Sequence, residues 1–255
     1  MYKYCHGGNA RFELDGVNFL DLSASFNPLG FPEEVEEAIK NEIPFCQYYP
    51  DNNSFQLRTQ IADYEHVKPE WIFCGNGSSD IIFRLPLCLK PCKALITIPT
   101  FSDYERSLKS YGTEILYYKL EENRNFECDE NFVTTAENEP VDLVFLCNPN
   151  NPTGILTKRK VIENLLRSCR KTKTMIVVDE CFMDFCEQAD DVTVKPLLPE
   201  FDNLILIKAF TKIFALPGIR LGYAICNNKK LIDNLYFHGA DWAVSNLAHA
   251  AGMAA

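Results

Sequence analysis

The chain has 255 residues, 47% of them hydrophobic, enough apolar material for one large domain or two modest ones. A formal net charge of −10 and a pI near 5.0 argue against a general nucleic-acid binder, yet allow a local basic pocket for a phosphorylated small molecule. No run approaches the roughly 18 apolar residues of a membrane helix, and Met1 to His6 opens no secretory signal.

Eleven cysteines lie without a C-x-x-C pair or histidines at metal-ligand spacing. They read as reduced thiols serving as small hydrophobes, so the expectation is a cytoplasmic protein with no metal, no membrane and no nucleic-acid partner.

The first fifty residues hold a helix over 33–40 between loops bearing Pro28, Pro32, Pro44 and Pro50, and read as an arm or part of a second lobe. Apolar runs then alternate with helical patterns. Strands are predicted at 71–74, 94–98, 114–118, 143–147, 175–178 and 204–207, and helices at 78–89, 101–111 and 158–170. Short continuous apolar runs between helices are the mark of parallel strands covered on both faces, which predicts a three-layer α/β domain. From Trp242 an Ala-rich helical stretch runs to Ala255 and stops without a cap, as a truncated lobe would. The organisation expected is an arm with part of a small domain (1–45), a large domain (46–240), and the start of a C-terminal small domain (241–255).

Four motifs fall just after predicted strands, where open α/β sheets place ligands. Gly75-Asn76-Gly77-Ser78-Ser79-Asp80 joins a strand to a helix N-terminus, whose free N–H groups and dipole suit a phosphate, though an ordinary serine-capped turn looks the same. Asn148-Pro149-Asn150-Asn151-Pro152-Thr153-Gly154 fixes an irregular loop that can present the Asn151 amide. Asp179 ends an apolar strand, with Glu180 beside it as a structural neighbour. Lys212, in Ala209-Phe210-Thr211-Lys212-Ile213-Phe214, sits between apolar stretches. Burial there would depress its pKa and make it nucleophilic. Arg220, eight positions on, offers a fork for phosphate.

In this order the four motifs resemble the fold-type-I pyridoxal-phosphate (PLP) enzymes of aminotransferase class I/II. Within them they are most similar to the branch of histidinol-phosphate aminotransferase and threonine-phosphate decarboxylase. The resemblance runs from about His6 to Ala255 and rests on Asn150-Asn151-Pro152-Thr153-Gly154 and the Thr211-Lys212…Arg220 spacing. It implies the aspartate-aminotransferase fold, with a mostly parallel sheet and a small domain incomplete at the C-terminus. It also implies that Lys212 carries the cofactor and moves protons, that Asp179 pairs with the protonated ring nitrogen, and that Asn151 reaches the ring oxygen. Phe101 would stack on the ring, while Ser78, Ser79, Thr211 and Arg220 cradle the phosphate. Tyr49 would reach the neighbouring subunit's cofactor, making a homodimer. His6 and Asn27 fall at positions for a phosphorylated amino-acid or amino-alcohol substrate.

His6-Gly7-Gly8-Asn9, the run from Asp21 to Gly30, and Phe182, where the aminotransferases usually carry a tyrosine, are similar to the decarboxylase side. The expected activity is therefore decarboxylation of O-phospho-L-threonine to aminopropanol phosphate in cobalamin synthesis. The alternative is amino transfer between histidinol phosphate and 2-oxoglutarate. A third reading, a non-catalytic protein of this fold, sits poorly with the presence of Asp179, Lys212 and Arg220 together.

Overall fold

In the computed structural model, Gly7, Gly8 and residues 21–255 are described; His6 lies outside the described residues. The apolar runs become strands β1 (Ile72–Gly75), β2 (Lys93–Ile98), β3 (Glu114–Lys119), β4 (Leu143–Cys147), β5 (Met175–Asp179) and β6 (Leu204–Ala209). A further strand, β7 (Gly222–Ile225), completes one seven-stranded sheet in the order β1-β7-β6-β5-β4-β2-β3. β7 runs antiparallel to both β1 and β6, and every other pairing is parallel. The other six strands therefore all end on one edge of the sheet.

The side-chain alternation of each strand feeds two cores. On one face Val144, Leu146, Ile176, Val178, Leu204 and Leu206 pack under α2 (Phe55–Glu65), α5 (Glu130–Asn138) and α6 (Arg159–Cys169). On the other, Phe145, Cys147, Val177, Ile205 and Ile207 meet α3 (Ser78–Leu89), α4 (Ser102–Tyr111) and α9 (Lys229–Phe237). Both faces are dry, which is why these strands read as unbroken apolar runs. Helix α6 shows the matching stripe: Val161, Ile162, Leu165, Leu166 and Cys169 are buried.

Two short helices lie between these elements, α7 (Ala189–Val192) and α8 (Phe210–Ile213). The predicted N-terminal helix extends to Glu42 as α1 (Glu33–Glu42), and α10 (Asn246–Ala254) packs on it. Ser245 caps α10 by accepting the Ala248 N–H at 3.1 Å. Among the described residues no helix is long and apolar enough to cross a membrane.

β7 went unseen in the sequence because Gly-Tyr-Ala-Ile is short and opens on glycine. Its place demands that glycine. A Cβ on Gly222 would lie 2.6 Å from the Ser78 nitrogen and 2.9 Å from the Gly77 carbonyl carbon. Strand and loop could then no longer touch.

Candidate active site

The shared strand edge carries the predicted chemistry. β1 ends at Gly75 and leads through Asn76-Gly77 into α3. Gly77, the N-cap, adopts φ 81° and ψ 166°, a region closed to residues with a side chain. Asp80 folds back on this loop, accepting the Asn76 N–H at 3.0 Å through Oδ2 and pairing with buried Arg84 at 2.8 Å through Oδ1. The Arg220 guanidinium lies directly against the loop: a Cβ on Gly77 would sit 2.5 Å from its Nη2. Arg220 donates to the Pro217 carbonyl at 3.1 Å, which orients the fork. Arg220 and the first turn of a twelve-residue helix thus form one electropositive cradle, fitted to a phosphate. Ser78 and Ser79 open that turn, half-buried, and the Ser79 hydroxyl donates to Asp103 at 3.1 Å.

β2 leads through Pro99 and Thr100 to Phe101, which caps α4 and meets Tyr104 edge-on at 5.7 Å. The β4 loop is held by two neighbours of Asn151. Asn148 exchanges hydrogen bonds with Thr157 (2.8 and 3.2 Å), and Asn150 donates to Pro99 O and Thr153 Oγ1. Asn151 itself is half-buried, and within the same loop the Cys147 thiol donates to the Pro149 carbonyl at 3.3 Å.

Asp179 ends β5 with its side chain on the α3/α4 face and is almost wholly buried. Its Oδ1 accepts the Cys181 N–H at 3.0 Å, and its Oδ2 accepts the Tyr104 O–H at 2.8 Å. Burial pushes the neighbouring Cys147 thiol up to about 12 and holds that of Cys181 well above its ordinary value. Both therefore stay neutral beside the carboxylate. Glu180 turns to the opposite face, where it accepts from Thr193 Oγ1 and the Val194 N–H.

Lys212 lies in α8, just past the end of β6. Its ammonium sits 4.9 Å over the Phe182 ring. Burial, aided by Arg220, holds it below the ordinary lysine value, against the pull of Cys181 and Asp179. Thr211 precedes it, half-buried. Asn27 spends its donors on this segment, its N–H on the Lys212 carbonyl and its amide on the Ile213 carbonyl, both at 2.9 Å. Tyr49 is four-fifths exposed and stacks on Trp242 at 4.3 Å.

Behind the site lies an ionic cluster that sequence reading missed. Glu65 accepts from Tyr223, pairs with Lys208 at 3.1 Å through the same oxygen, and meets Lys195 at 3.0 Å through the other. Lys208 also meets Asp184 at 2.9 Å. Burial alone would raise Glu65, but Lys208, Tyr223 and Lys195 hold it below the ordinary carboxylate value. Lys208, also desolvated, is held above the ordinary lysine value by Glu65 and Asp184. The two lysines four residues apart thus differ, Lys208 neutralised by carboxylates and Lys212 not. Tyr104 was missed as well. Its signal was its place three residues after Phe101, on the same face of a predicted helix.

A cradle for phosphate, a buried carboxylate and a lysine of lowered basicity, side by side on one strand edge, make this chain a pyridoxal-phosphate enzyme of the aminotransferase fold, a decarboxylase or an aminotransferase. It belongs to the aminotransferase class I and II family, which its sequence matches over residues 17–255. It is 32% identical to threonine-phosphate decarboxylase of Salmonella typhimurium, over 100% of this chain and 71% of that protein. It is 38% identical to a putative threonine-phosphate decarboxylase of Caldanaerobacter subterraneus, over 99% of this chain and 67% of that protein. The crystal structure of histidinol-phosphate aminotransferase from Clostridium acetobutylicum superposes with a TM-score of 0.84 at 32% identity, covering 92% of this chain and 69% of that one.

Proposed function

We propose that the protein decarboxylates O-phospho-L-threonine to aminopropanol phosphate and CO₂, serving cobalamin synthesis, as a cytoplasmic homodimer. Arg220, Ser78, Ser79 and Thr211 hold the cofactor phosphate, Phe101 covers one ring face, Asn151 meets the ring oxygen and Asp179 the ring nitrogen. Lys212 anchors the cofactor and then moves the proton at Cα. Bound PLP supplies an electron sink that loosens whichever substrate bond stands perpendicular to its ring. The protein's part in the choice is orientation, since holding the carboxylate perpendicular releases CO₂ while holding Cα–H there leads to transamination.

The observation that carries the choice is Phe182. Its ring packs under the Lys212 ammonium and brings no hydroxyl to a place where the aminotransferases usually have one. Asn27 supports the same reading through the segment around it, docked on the Lys212 backbone. Its own amide donates to the Ile213 carbonyl, so its route to substrate runs through the position of that segment. His6 contacts the substrate in this reading. The dimer rests on Tyr49, exposed beside exposed Phe45, Tyr48 and Phe55, from where it reaches the partner's cofactor phosphate.

Aminotransfer is the second reading, favoured by the likeness to the Clostridium acetobutylicum aminotransferase. One paired assay separates the two. CO₂ evolved from O-phospho-L-threonine by PLP-loaded protein supports decarboxylation. Glutamate formed from histidinol phosphate and 2-oxoglutarate, without CO₂, would replace it with the aminotransferase.

A further inference from the structure

We propose that Tyr104 is a positioning residue that fixes the Asp179 carboxylate toward the cofactor ring nitrogen; the inference rests on the pyridoxal-phosphate reading of the site. Asp179 is buried and has two protein donors, one on each oxygen. The Cys181 N–H, on Oδ1, comes from the backbone two residues on and follows the chain's own turn. The Tyr104 hydroxyl, on Oδ2 at 2.8 Å, comes from a different element seventy-five residues away. Donors on both oxygens determine the carboxylate plane and leave a lone pair on each oxygen for a further N–H.

Tyr104 is built to hold that position. Its ring is fully buried, stacked on Phe145 at 4.9 Å with 7° between planes, and met edge-on by Phe101. The ring cannot swing without opening the core, so the hydroxyl is a fixed point. Burial, reinforced by Asp179 and Cys147, holds the phenol well above its ordinary value, so it stays a donor across the working pH range. The two aromatics of α4 divide the work: Phe101 at the N-cap faces the cofactor plane, and Tyr104, one turn on, faces the carboxylate behind it. One helix start thus places both.

Tyr104→Phe removes the hydroxyl and keeps the ring and its stacking. A charge-assisted hydrogen bond of this kind implies PLP affinity weaker by about 10- to 100-fold. In protein loaded with PLP isotope-labelled at the ring nitrogen, that nitrogen's resonance should shift toward the unprotonated position. A generally loosened core would also weaken binding, so the decisive readout is a double-mutant cycle for PLP affinity with Asp179→Asn. If Tyr104 acts through Asp179, its substitution costs little once Asp179 is already changed. Additive losses, or a wild-type nitrogen resonance in Tyr104→Phe, would overturn the inference while leaving the cofactor reading intact. Failure of the wild-type protein to bind PLP at all would overturn both.

Discussion

Gly77→Ala tests the phosphate cradle at its tightest point. At φ 81° and ψ 166° the backbone sits where a side chain costs about 1–3 kcal/mol. The added methyl would also stand 2.5 Å from Arg220 Nη2 and 3.0 Å from its Cζ, so the guanidinium must leave the loop. At roughly 2–4 °C per kcal/mol for a chain of this size, the backbone term alone lowers the unfolding midpoint by about 2–12 °C. Loss of an arginine–phosphate contact adds a fall in PLP affinity of about 10- to 100-fold. Thermal unfolding with and without PLP reads both effects, since the stabilisation by ligand shrinks as its affinity falls. Gly218→Ala is the control, because an added Cβ there meets nothing within 4 Å. A Gly77→Ala protein with wild-type midpoint and PLP affinity would refute the cradle.

Three further outcomes are expected. Asp179→Ala should keep the visible absorbance of loaded protein but lose most turnover, and unchanged kcat would remove Asp179 from the ring nitrogen. Glu65→Ala leaves Lys208 with Asp184 alone, and breaking a buried pair should cost about 3–5 kcal/mol in urea unfolding; a cost near zero would make the cluster ornamental. Burial raises the Glu180 carboxyl from 4.5 to about 7. A folded value above the unfolded one makes its contribution full below 4.5 and lost as pH rises through 7. Glu180→Gln should therefore flatten the stability–pH curve over that window; an unchanged slope would show that Glu180 does not set it.

Much of this was legible in the sequence because the site sits where the chain changes rule. At the ends of β4, β5 and β6 a dry apolar run gives way to Asn148, to Asp179 and to Thr211-Lys212, and such a break is visible without a structure. Five strands announced themselves as apolar runs buried on both faces, and β3, at the sheet edge with Glu114, Tyr117 and Lys119 exposed, through Ile115-Leu116-Tyr117-Tyr118 alone. What stayed hidden depended on contacts distant in the chain. β7 is too short to show a period, and its need for Gly222 arises only from the approach of the Gly77 loop. Tyr104 looks like any core aromatic of an amphipathic helix until Asp179 arrives from β5. Lys208, at the end of an apolar strand, gains its meaning only from Glu65, 143 residues earlier and across the helix layer. Asn27 likewise meets Lys212 across 185 residues.

The central claim is that Lys212, and not its buried neighbour Lys208, carries the cofactor. Borohydride reduction of PLP-loaded protein locks the cofactor to the lysine that holds it, and peptide mass spectrometry then reads the position. The added mass is expected on the peptide bearing Lys212, and both it and the visible absorbance should disappear in Lys212→Ala. Label on Lys208 or on scattered surface lysines, or absorbance retained by Lys212→Ala, would contradict it.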